Sequence, residues 1–122
     1  MIKVFKDLIA WQKAHELVLD VYKITKKFPD IERYGLENQL RRASVSITSN
    51  IAEGFGRNSR KEKLQFYSIS RGSLFEVLDQ LTIAKDLGYF ESQEFIVLEE
   101  KINVCSRLVS GIIKSASDKI LI

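Results

Sequence analysis

Leu36, Leu40, Ala43, Ile47 and Ile51 recur at steps of three and four residues. That spacing lines one face of a helix and buries it against a core. A second stripe of Arg42, Ser46, Asn50, Glu53 and Arg57 runs beside the first and is wholly polar. A solvent-facing stripe would ordinarily be rich in Lys and Glu, which favour helix. Ser and Asn instead compete with the helical backbone for hydrogen bonds. Small polar residues in such a place point to close approach of another helix or to specific polar pairing. The stripe therefore predicts a structural polar network of Ser46, Asn50, Glu53, Arg71, Ser73 and Glu76.

The same periodicity divides the rest of the chain. A first helix is expected from Asp7, as N-cap, to Phe28, with Trp11, Ala14, Val18, Val21 and Thr25 on its apolar face and Pro29 as its stop. The second runs from Leu36 to Ala52. Val45, Ile47 and the alternating serines suggest a short strand there. The alternation fails at Ser49 and Asn50, so the helical reading wins. Gly54 and Gly56 read as helix-ending glycines. Ser59 and Glu62 fit a capping box opening a third helix that continues to Leu87, with Gly88 behind it. Gly72-Ser73 in its middle offers a small patch for the Ser-rich helix to press against. A fourth helix starts near Ser92 and carries Phe95, Leu98, Ile102, Cys105, Val109, Ile112 and Ala116 at unbroken spacing. The apolar end, Ile120-Leu121-Ile122, is expected to dock on the bundle or on another copy. Short connectors between four helices imply antiparallel neighbours, an all-α, up-down-up-down four-helix bundle in one domain spanning residues 1–122.

Composition narrows the function classes. With 122 residues the chain buries roughly two-thirds of its unfolded surface, enough for one core. No apolar run approaches a membrane span, and the start of the sequence lacks a signal peptide's apolar region. The single cysteine forms no internal disulfide, and cytoplasm is the expected compartment. Net charge is only +3, but six basic residues between Arg41 and Lys63 face only Glu53 and Glu62. Such asymmetry suits an anionic partner, or the acidic half of another copy.

Candidate chemistry follows from what is present. A di-iron carboxylate site in a bundle wants two Glu-x-x-His helices, and this chain has one histidine, His15. Zinc and Ser-His-Asp or Cys-His schemes meet the same shortage, so no catalytic residue, metal or cofactor is expected. His15 reads as an ordinary helix residue, and Cys105 as a buried thiol inside an apolar seam. Glu53 and Glu76 could face each other, with Arg42 and Arg71 placed to neutralise them. The basic segment is the better candidate. Arg57, Arg60, Lys61 and Lys63 crowd the start of the third helix, where backbone N–H groups and the helix dipole already favour phosphate. With Arg41 and Arg42 they form the expected nucleic-acid-binding set. A solvated turn, or a contact between subunits, is the alternative.

Phe5-x-Asp7-Leu8-x-x-Trp11, Tyr22, Phe28-Pro29, Tyr34-Gly35-Leu36, Gln39-Leu40-Arg41-Arg42-Ala43, Ser46-Ile47, Asn50-Ile51-Ala52-Glu53-Gly54 and Gly72-Ser73-Leu74-x-Glu76 together carry a family likeness. The chain resembles the bacterial four-helix-bundle proteins encoded in 23S rRNA intervening sequences, with Thr48 where that family usually has proline. It is similar also to the accessory protein of diversity-generating retroelements. The resemblance implies an antiparallel bundle assembled as a ring-shaped homopentamer, nucleic acid as a ligand, and a reverse-transcriptase-like or other protein partner. It implies no catalytic residues. The expected function is a non-enzymatic oligomeric bundle that binds structured RNA or DNA, with a protein–protein scaffold as the alternative.

Overall fold

The computed structural model describes residues 1–118 in full and the helical backbone of 119 and 120. The expected docking of the Ile120-Leu121-Ile122 side chains lies outside the described residues. Four helices form: α1 (Ile9–Thr25), α2 (Leu36–Phe55), α3 (Arg60–Asp86) and α4 (Ser92–Ile120). Short 3₁₀ turns at Phe5–Asp7 and Asp30–Glu32 precede α1 and α2. Each helix packs on its neighbours in sequence, α4 closes back on α1, and the α2–α3 interface is the most extensive. This is the antiparallel four-helix bundle. The strand alternative over Val45–Ile47 fails, because those residues lie within α2.

The apolar stripes meet as expected. Ala14, Leu17 and Val21 of α1, Leu40, Ile47 and Ile51 of α2, Leu74, Val77 and Leu81 of α3, and Ile102, Cys105 and Val109 of α4 share one core. Burial pushes the Cys105 thiol up to about 11, with Glu16 adding to the shift, so it stays protonated and inert. His15 lies exposed at the surface and stacks on Trp11 at 4.8 Å. Among the described residues no helix is long and apolar enough to cross a membrane.

Helix ends depart from expectation in three places. Asp7 sits in the first 3₁₀ turn, and Leu8, with no side-chain cap, precedes α1. That helix ends at Thr25, where the chain tightens through Lys27 N–H to the Ile24 carbonyl and Phe28 N–H to the Thr25 carbonyl. Gly54 does not end α2. It is a buried interior residue, and Gly56 occupies the C-cap at φ −77°. Ser59 does cap α3, its hydroxyl accepting from Glu62 N–H at 3.3 Å, and Gly88 takes the left-handed φ of 82° beyond it.

Lys27 pairs with Glu94, Glu32 with the Tyr89 hydroxyl, and Phe28 packs on Tyr89 and Phe90. These contacts tie together one end of the bundle. The other end holds the N-terminal residues, the α2–α3 turn and the later turns of α4, and there the basic cluster sits.

Candidate nucleic-acid interface

Six cations were expected to act together, and α2 separates them. Arg41 and Arg42 lie in the first two turns of α2, and Arg57 lies just beyond its C-cap, fifteen or sixteen residues later and roughly 20 Å away along the helix axis. Arg41 is held by the fold itself. Its Nε donates to Thr25 Oγ1 at 2.8 Å, an Nη donates to the Tyr22 carbonyl at 3.4 Å, and Glu37 pairs with it at 3.2 Å. The guanidinium also lies 4.7 Å from the centre of the Tyr22 ring. Arg41 thus satisfies a carbonyl near the end of α1 and pins it to α2. Arg42 is exposed beside Gln39, Ser46 and Glu76 and makes no ion pair with the described residues.

The remaining four gather at the α2–α3 turn with different commitments. Arg57 pairs with Glu53 at 2.8 Å and lies 4.7 Å from the centre of the Phe66 ring. Lys63 donates to the carbonyls of Gly54 and Phe55 at 3.2 and 2.7 Å, where α2 ends. Its ammonium is also 5.5 Å from the centre of the Phe55 ring. Arg60 and Lys61 are exposed in the first turn of α3. Lys3 and Lys6 belong to the same end of the bundle. A recess of about 550 Å³ opens beside the cluster, walled by Phe55, Tyr67, Ile112 and Met1 and edged by Arg60 and Lys63. Burial raises the Tyr67 phenol above its ordinary pKa.

The polar network forms in part. The Ser46 and Ser73 hydroxyls share a hydrogen bond at 2.9 Å across the α2–α3 interface. Asn50 donates to the Ser46 carbonyl and hydroxyl at 2.8 and 3.0 Å. Glu53 turns away to Arg57, and Glu76 accepts from Gln80 Nε2 at 3.2 Å. Arg71 makes no hydrogen bond or ion pair with the described residues, so the expected Arg71–carboxylate pairing is absent among them. Of the small patch expected at Gly72-Ser73, Ser73 meets the Ser-rich helix through Ser46, whereas a Cβ added at Gly72 would meet nothing within 4 Å. The tight contact is at Gly54, against Tyr67 and Phe66. Buried Ser70, donating to the Ile47 carbonyl at 2.8 Å, adds a link the stripe did not predict.

A family model described as 23S rRNA-intervening sequence protein matches residues 6–111. The chain belongs to that family. A crystal structure at 1.70 Å of a protein with unknown function from the S23 ribosomal protein family of Bacteroides thetaiotaomicron VPI-5482 matches with a TM-score of 0.81, at 20% identity over 89% of this chain and 98% of that one. At that identity the likeness shows the fold alone. No curated protein matches. For this member of the intervening-sequence family, sequence reasoning missed three groups. Glu32 caps α2, Gln80 lies buried at the α2–α3 interface with its Oε1 unpartnered, and the recess lies beside the turn. Glu32 four residues ahead of Leu36 is a readable signal. The recess has none, because its walls come from four separate parts of the chain.

Proposed function

We propose that this protein is a non-enzymatic, cytoplasmic, homo-oligomeric bundle that binds the backbone of structured RNA or DNA. The observation that supports the reading is the gathering of Arg57, Arg60, Lys61 and Lys63 with Lys3 and Lys6 at one end of the fold. Arg41 is engaged in joining α1 to α2, and Arg42 is a separate, outlying cation. Contacts of this kind read phosphate rather than sequence, and their strength falls with salt. One copy supplies only a few of them. The ring of five copies that the family likeness implies would repeat the cluster, and avidity would then make weak sites effective. A reverse-transcriptase-like or other protein partner belongs to the proposal on the same ground.

The test is binding of labelled RNA and DNA hairpins across a salt series, with Arg57, Arg60 and Lys61 replaced together by Ala. Binding of all sequences should weaken alike and the salt dependence should flatten. Circular dichroism and light scattering should show an unchanged fold and assembly, because the Arg57–Glu53 pair is exposed and worth about 0–1 kcal/mol. A scaffold without nucleic acid is the second reading, favoured by exposed Leu19, Phe75, Ile96 and Val97 on the outer helix faces. A wild type that binds neither RNA nor DNA, with a triple variant that falls into monomers, would establish that reading.

A further inference from the structure

We propose that the recess at the α2–α3 turn receives the base of an unpaired nucleotide while the cations around it hold the adjoining phosphates. This rests on the nucleic-acid reading above and specifies the class of ligand. A turn that binds phosphate alone needs no apolar recess, and a purely apolar docking site would not be edged by cations. Here the two occur together. Phe55, Tyr67 and Ile112 supply apolar and aromatic wall, Asn58 and Ser115 supply polar groups suited to a base edge, and Arg60 and Lys63 stand at the rim.

Aromatic rings and cations pair at this turn. Lys63 lies over Phe55 and Arg57 over Phe66. Such an arrangement joins a stacking platform to a positive track, the combination that holds single strands with little regard to sequence. Phe55 is only half-buried, so part of its ring is open to the recess. A base inside a duplex keeps both faces covered by its neighbours and cannot enter. A base in a loop, bulge or single strand can. Stacking and charge leave the sugar unread, so RNA and DNA are recognised alike.

The groove between α1 and α4 offers no comparable site for an anion. Of its three lysines, Lys27 and Lys101 are matched across it by Glu94 and Asp20, at 2.7 and 2.6 Å, which leaves Lys23 as a single cation beside two neutralised ones.

The intact protein is titrated into a fluorescein-labelled single strand of mixed sequence, made as RNA and as DNA, and into each strand annealed to its complement. The single strands should bind about tenfold more tightly than the duplexes, the worth of one stacked base. Phe55→Leu, which keeps an apolar side chain and loses the aromatic face, should erase that preference and leave duplex binding unchanged. Lys61→Ala should weaken single strand and duplex alike. Equal binding of single strand and duplex, or a preference that survives Phe55→Leu, overturns the recess and leaves backbone binding standing. Absence of binding in every arm overturns both. Should Phe55→Leu lose its helical circular dichroism, the wild type decides with 2-aminopurine inside the single strand. Its emission should change on binding as the base enters the recess, and an unchanged emission overturns the inference.

Discussion

A Cβ built at Gly54 would stand 2.7 Å from Tyr67 Cε1 and 3.1 Å from Phe66 Cβ, whereas one built at Gly72 would meet nothing within 4 Å. Both glycines lie inside helices, where alanine gains about 1 kcal/mol of propensity. At Gly72 that gain is unopposed, so Gly72→Ala should stabilise the protein by roughly 0.5–1 kcal/mol. At Gly54 the added methyl must displace a buried tyrosine ring, and overpacking costs about 1–3 kcal/mol. Gly54→Ala should therefore destabilise on balance. Urea denaturation of the pair checks this, and equal effects would mean that α3 does not press on Gly54. Arg41 makes the same point with a charge. Its bonds to Thr25 and the Tyr22 carbonyl join two helices, so Arg41→Ala should cost about 1–2 kcal/mol, while exposed Arg42→Ala should stay within about 0.5 kcal/mol. Neither contrast was legible in the sequence. Gly54 and Gly72 differ only in what another helix places beside them, and Arg41 and Arg42 differ only in which way each faces around α2.

At the scale of elements the sequence was far more legible. All four helices follow from apolar spacing, because burial of an amphipathic face dominates helix formation in a folded chain. The Ser59 cap was readable because it is local, its hydroxyl accepting from Glu62 N–H within the same turn. Partners supplied from a distance were not. Glu32 accepts from Leu36 N–H at 3.1 Å at the start of α2 and from the Tyr89 hydroxyl at 2.7 Å, a residue beyond the end of α3. The Tyr89 bond, then the Leu36 bond, lowers the Glu32 pKa below its ordinary 4.5. The stabilisation this supplies is present in full above the unfolded value and disappears as pH falls through the lower folded one. Tyr89→Phe removes the larger cause, so the variant should lose less stability on acidification than the wild type. Denaturation midpoints at neutral pH and below pH 4.5 measure the difference, and parallel losses in both proteins would exclude the linkage.

Across the whole molecule the up-down topology sorts charge by end. Lys3, Lys6, Arg57, Arg60, Lys61, Lys63 and Lys114 outnumber Asp7, Glu53, Glu62 and Asp118 at the turn end, whereas at the other Asp30, Glu32, Glu37, Asp86, Glu91 and Glu94 are balanced by Lys23, Lys26, Lys27, Arg33, Arg41 and Lys85. The basic segment was visible as a run, but its division by the length of α2 appears only once the helix is built. Apolar surface is spread more widely. Phe75 is 60% exposed on α3, and Ile96 and Val97 are 62% and 56% exposed on α4. Single exposed apolar residues are ordinary, yet these lie on outer helix faces that a second copy could cover. A contact between unlike faces would repeat around an axis, closing a ring where the rotation closes, so the protein should scatter light as a multiple of 14.0 kDa at micromolar concentration. Phe75→Glu places a carboxylate in that contact and should yield a folded monomer, since the side chain contributes little to the core. The basic end is untouched by this change, so each copy keeps its phosphate contacts. Binding to an RNA long enough to span several copies should nevertheless fall by about a hundredfold or more as avidity is lost, while binding to a short oligonucleotide stays the same. A wild-type monomer, or a monomeric Phe75→Glu variant that holds long RNA as tightly as the wild type, would separate assembly from binding and leave each copy acting alone.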